Sequence, residues 1–100
     1  MARILKQEAE RLLAKVPEDN VFWCQNGQKL GSMYDLEKAL LKMADEVYSF
    51  HSNEQKTDFS NWVRDVIGDE KLARDLTKSK SKAEAAKSVK SRIEFLSAKL

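Results

Sequence analysis

Residues 50–73 read FHSNEQKTDFSNWVRDVIGDEKLA. The stretch holds the only histidine, one of the two tryptophans and a run of Asp, Asn and Arg. Its punctuation decides the fold. Thr57 or Asp58 offers a side-chain oxygen to the unpaired N–H groups of a helix start. Phe59, Trp62, Val63 and Val66 then fall on one helical side. Gly68 suits the left-handed position that closes a helix, and Asp69 caps a short helix through Leu72, Ala73 and Leu76. The spacing therefore predicts a helix, a tight turn and a helix, entered from a polar loop over residues 51–56.

Upstream, Leu36, Leu40, Met43, Val47 and Phe50 recur at steps of four, three, four and three behind a capping Ser32. Leu41, Ala44 and Tyr48 widen that stripe, so one long, well-buried helix is expected from Ser32 to Phe50. Before it, residues 21–31 read VFWCQNGQKLG. Asn26-Gly27 signals a type I′ hairpin turn, because both central residues there take positive φ. A two-stranded hairpin pairing 21–24 with 28–31 is expected, lying on the helices because two strands alone are marginal. At the start, Leu5, Ala9, Leu12 and Val16 share a face of a helix over 3–16, which Pro17 stops. EDN at 18–20 is a polar turn.

Downstream, TKSKSK at 77–82 is a charged linker. Ser81 and Glu84 form a capping box. Ala86, Val89, Ile93, Leu96 and Leu100 mark the last helix, over 82–100. The fold class is mainly α, a bundle of about five helices with a small β-hairpin. The core should include Leu12, Phe22, Leu36, Leu40, Met43, Val47, Phe59, Trp62, Val66, Leu72, Ile93 and Leu96.

One hundred residues make a single domain, 1–100. Apolar residues at 42% and charged residues at 34% suit a helix-rich globule and oppose disorder. No apolar run approaches the roughly 20 residues that span a bilayer, so no membrane role is expected. The first residues read as the start of a helix and not as a signal peptide. One cysteine excludes an intramolecular disulfide, and a cytoplasmic location is expected.

The net charge of +2 conceals an asymmetry. Residues 1–70 carry 9 basic and 13 acidic residues, a balance of −4. Residues 71–100 carry 9 and 3, a balance of +6. An acidic body with a basic tail raises nucleic acid as a partner. Lys78, Lys80, Lys82, Lys87, Lys90 and Arg92 would supply phosphate contacts, although no aromatic residues interleave them for base stacking. The helix pair at 57–76 resembles a DNA-reading motif only in outline, since Asp69, Glu70 and Asp75 oppose a phosphate backbone.

No catalytic constellation emerges. Cys24 lacks a second thiol or an activating neighbour, and the three glycines are too dispersed for a phosphate loop. His51, Glu54 and Asp58 are not anchored by a His or Cys pair, so no metal is expected, and no cofactor is implied. Asp58, Gly68 and Asp69 have sufficient work as caps and a turn. His51, Asn53 and Asp65 are less explained, and a polar cluster of these three at one end of the bundle is the candidate binding site. Phe95 sits about 140° from the centre of the last helix's apolar stripe. It marks either a partner-binding spot or a ring covered by the first helix.

The run Val21–Leu76 is similar to a small domain-of-unknown-function family of archaea and some bacteria. The resemblance rests on Phe22 with Gly27, Phe50-His51, Asp58-Phe59, Trp62, Asp65-Val66, Gly68-Asp69 and Leu72-Ala73. It covers over half the chain. Thr57 stands where the family pattern has Asn, which leaves the cap intact and puts a ligand role there in doubt. The resemblance implies a fold and a prokaryotic, cytoplasmic setting, and no activity.

Three functions follow in order. The first is a non-enzymatic protein-interaction module, self-associating through its terminal helices. The second is a nucleic-acid-associated protein using the basic tail. The third, a small hydrolase or metal enzyme, is disfavoured.

Overall fold

Among the described residues six α-helices and one hairpin account for the periodicities above. The computed structural model describes residues 4–100. In chain order these are α1 (Lys6–Leu13), β1 (Phe22–Trp23), β2 (Lys29–Leu30), α2 (Met33–Lys42), α3 (Asp45–His51), α4 (Asp58–Trp62), α5 (Glu70–Lys78) and α6 (Lys82–Ser97). The Cα radius of gyration is 12.8 Å, against about 13 Å for a compact chain of this length. The core runs between α2 and α6, with α1 and α5 packed on α6. Among the described residues no helix is long and apolar enough to cross a membrane.

The first helix is shorter than its periodicity. It ends at Leu13, and Ala14 is extended at φ −72°, ψ 161°. The cause lies in the hairpin, because the Val16 N–H donates to Gly31 O at 2.8 Å and draws residues 14–16 out of helical geometry. Leu5, at the N-cap of α1, is exposed, and Leu13 is buried.

The hairpin pairs Phe22 with Leu30 and Trp23 with Lys29. Its turn is not type I′. Only Gly27 takes positive φ, at +89°, and no residue other than glycine does so. The Gly27 N–H donates to Cys24 O at 2.9 Å, and Cys24 N–H donates to Gln28 O at 2.8 Å. Asn26 instead accepts the Gln28 N–H on its side-chain oxygen at 3.0 Å. This arrangement spends one left-handed residue where type I′ needs two.

The long helix expected over Ser32–Phe50 is two helices. Met43 and Ala44 are extended, with ψ 152° and 154°. Lys82 reaches across from α6, donates to Met43 O at 2.6 Å and lies 3.5 Å from Asp45 Oδ1. A long-range lysine thus takes up a carbonyl freed by the break, while Asp45 and Glu46 restart a helix with acids in its first turn. The break changes the phase of the burial pattern. Tyr48 and His51 turn inward, and Leu41 and Phe50 are exposed. Val47, Val66 and Phe22, expected in the core, pack only partly buried against it, and the other nine expected core residues are buried.

The α4 segment passes into a π-helical turn over Val63–Ile67, closed by the Gly68 N–H donating to Val63 O at 2.7 Å. The wider turn rotates Ile67 into the core and Val66 to its edge. Gly68 has φ +90°, and a Cβ placed there would meet the Arg11 guanidinium at 3.3 Å. Arg11 is flexible and exposed, so backbone strain dominates. Gly68→Ala is expected to cost about 1–2 kcal/mol. A thermal melt checks this, and an unchanged midpoint would mean that the turn relaxes.

Asp69 caps α5 by accepting the Leu72 N–H at 3.1 Å. Ser81 caps α6 by accepting the Glu84 N–H at 3.1 Å, but Glu84 returns to the Lys80 N–H and not to that of Ser81. The expected linker 77–82 contracts to residues 79–81. Thr77 stays helical because its hydroxyl, 2.7 Å from Ser60 Oγ, ties α5 to α4.

Candidate partner-docking groove

His51, Asn53 and Asp65 do not form one cluster. His51 is 5% exposed. The Gln25 N–H donates to its Nε2 at 2.9 Å, and Nδ1 lies 2.9 Å from Asp58 Oδ2. A backbone N–H only donates, so Nε2 holds the lone pair and Nδ1 carries the proton toward the carboxylate. The ring sits between Phe22, Phe50 and Phe59 at centroid distances of 5.0, 4.9 and 5.3 Å. Asn53 closes the loop instead. Its amide donates to Ser49 O at 2.8 Å, and its oxygen accepts the N–H groups of Gln55 and Lys56. Asp65 is exposed and pairs with Arg64 at 3.1 Å. Among the described residues these three share no hydrogen bond with one another. His51 holds the hairpin and Asn53 the loop, while Asp65 bonds only its chain neighbour.

Cys24 is buried, and burial pushes its thiol up from the ordinary value. That is the opposite of the shift an activated nucleophile needs. Both nitrogens of His51 are already engaged, so neither is free to take the thiol proton. Among the described residues no group of three or more His, Cys, Asp or Glu side chains converges as a metal site.

The basic tail also separates into parts. Lys82 is committed to Met43 O and Asp45. Arg92 makes two bonds to Asp69, Nε to Oδ2 at 2.7 Å and Nη2 to Oδ1 at 3.1 Å. The Asp69 side chain is 1% exposed and that of Arg92 12%, so this ion pair is interior. Lys90 lies about 140° around α6 from Phe95. Lys78, Lys80, Lys87 and Lys90 remain exposed.

Phe95 and Lys87 meet in one place. Between α5 and α6 runs a groove of about 840 Å³. Its apolar floor is Phe95 with Ile4, and the short side chains of Ser88 and Ser91 leave it open. Lys71 and Arg74 rise from α5, and Lys87 and Arg92 from α6. Phe95 is 45% exposed, so α1 does not cover it, although Ile4 comes alongside. The Arg92 guanidinium lies 5.3 Å and the Lys99 ammonium 4.9 Å from its ring centroid. A shallower depression of about 280 Å³ shares Asp75, Lys87 and Ser88 with the groove and adds Lys78.

Two of the three acids that oppose a phosphate backbone on α5 are already matched. Asp69 is paired with Arg92, and Asp75 accepts from Lys71 at 2.5 Å. Arg74 and Lys87 make no ion pair among the described residues. Lys71, Arg74 and Ile4 were not anticipated, whereas Ser88 and Ser91 share the side of α6 on which Phe95 was placed. Two signals for the groove were present, Lys71, Arg74 and Lys78 at steps of three and four, and Ser88, Ser91 and Phe95 at the same steps.

No family model, curated protein or solved structure matches this chain.

Proposed function

We propose that this protein is a non-enzymatic interaction module that docks a protein partner in the groove between α5 and α6. The observation that supports this is Phe95, a large ring left half exposed on a floor of small side chains and ringed by cations. Exposed apolar surface with a polar rim is the usual anatomy of a docking site. Pairing of two copies through this face is opposed, because it sets Arg74 and Lys87 against their own counterparts. A cytoplasmic setting belongs to the same proposal and is supported by the buried, unpaired thiol of Cys24.

The test uses the photo-crosslinking residue p-benzoylphenylalanine, placed at position 95 or 91 and, as a control, at position 90. A discrete protein adduct from position 95 or 91 that is absent from position 90 is expected. An adduct to nucleic acid would transfer the function to the basic segment. No adduct, or the same adduct from all three positions, would sink the groove as the interface.

A further inference from the structure

We infer that the occupant of the groove is an acidic amphipathic α-helix of a partner protein. The inference rests on reading the groove as an interface. It goes further by naming the shape, charge and register of what fills it.

Shape comes first. α5 and α6 are joined by only three residues, 79–81, and lie side by side. Two neighbouring helices present a furrow into which the ridge of a third helix packs. The nine residues of α5 rise about 13.5 Å, enough to flank about two and a half turns of a docked helix. Ser88 and Ser91 let its backbone approach α6, and Phe95 with Ile4 receives its apolar side chains.

Charge supplies the second argument. Among the described residues Arg74 and Lys87 stand on opposite walls of the groove without an ion pair, and Lys99 is spent on the face of Phe95. Lys71 is engaged by Asp75, which leaves Arg74 and Lys78 on α5, four residues and about 6 Å apart along the helix axis. Acidic residues at steps of three and four on a docked helix recur at the same rise, so several pairs form in one register. A nucleic-acid backbone answers the charge but leaves the apolar floor empty, and one ring makes a poor stacking platform.

The probe is a fluorescein-labelled, capped synthetic peptide of 18 residues. It carries Leu at helical steps of three and four, flanked by Glu. One control replaces every Glu with Gln, and a second keeps the composition but scrambles the Leu positions. Anisotropy titrations are run on the full chain at physiological salt, beside a labelled 20-base-pair duplex and anionic vesicles.

The patterned peptide is expected to bind at least tenfold more tightly than either control. Arg74→Glu with Lys87→Glu should weaken it at least tenfold, as should Phe95→Asp. Lys90→Glu, on the other flank of α6, should leave it within twofold. All of these variants change exposed side chains, and unchanged far-UV dichroism verifies the fold. Equal binding of the scrambled peptide, indifference to the groove variants, or tighter binding of the duplex or vesicles would each overturn the inference. Should the crosslinks from position 95 persist while the patterned peptide fails to bind, the helix is wrong and the interface stands.

Discussion

Replacing Arg92 with leucine is expected to cost about 3–5 kcal/mol of folding stability. The guanidinium makes a two-bond pair with Asp69, whose side chain is 1% exposed. Removing the cation strands a carboxylate that no water reaches. The same carboxylate caps α5 through the Leu72 N–H, so one group fixes the start of α5 to the middle of α6. A domain of this size loses about 4–8 °C of Tm per kcal/mol, so a fall of roughly 12–40 °C is expected in a thermal scan. Arg92→Lys keeps the charge but not the fork, and should cost about 1–2 kcal/mol. Asp69→Asn combined with Arg92→Leu removes both charges while Asn still caps α5. That double variant should recover most of the loss, since the expense is the unpaired charge and not the missing pair. A loss under about 1 kcal/mol in the leucine variant would mean that solvent reaches Asp69, and the interior ion pair would be refuted.

That pair also bears on the groove. Arg92 lines it, stands beside Phe95 and is bolted to the first residue before α5. The spacing of the two walls is thus set by a bond that a docked partner does not need to form. Preorganisation of this kind lowers the ordering cost of binding. Two cations that looked alike in sequence therefore differ in their bonding: Arg92 is held by Asp69, and Lys87 makes no ion pair among the described residues.

What the sequence made legible was local. The Gly68 turn, the Asp69 and Ser81 caps, the hairpin's position and most of the core follow from short-range rules, and the structure bears them out. What escaped was decided at long range. No Gly, Pro or capping side chain marks the break at Met43–Ala44, which is bridged by Lys82 from 39 residues away. α1 ends early because Val16 pairs with Gly31. The π-helical turn has no composition of its own. The candidate site divides in the same manner. Phe95 was readable as a ring off its stripe. Its neighbours Lys71 and Arg74 lie on another helix, and only the α5–α6 pairing unites them. The acids of α5 were counted as free charges because sequence does not reveal that two of them are already matched.

His51 carries the second large effect, and a series of substitutions separates its two bonds. His51→Ala deletes a ring packed on three phenylalanines and strands the Gln25 N–H. The unpaired N–H alone costs about 1–3 kcal/mol, and with the lost packing about 3 kcal/mol is expected overall. The hairpin feels it first, because the Gln25 N–H is one of few hydrogen bonds that tie it to the helices, another being the Gly31 N–H donating to Asp35 Oδ2 at 2.9 Å. Gln places a side-chain oxygen near where Nε2 was, and so keeps the acceptor for Gln25. Asn places its amide near where Nδ1 was, and so keeps the donor for Asp58. These two bonds are not equal. Asp58 is 30% exposed and retains Lys56 at 3.2 Å, so it finds other partners. The Gln25 N–H, by contrast, loses the one partner it has when the ring goes. His51→Gln should therefore be more stable than His51→Asn by about 1 kcal/mol, with both above His51→Ala. Urea unfolding at neutral pH with a common slope measures the order. If Asn matches or exceeds Gln, the bond to Asp58 holds the hairpin end in place, and the dominance of the Nε2 contact is wrong.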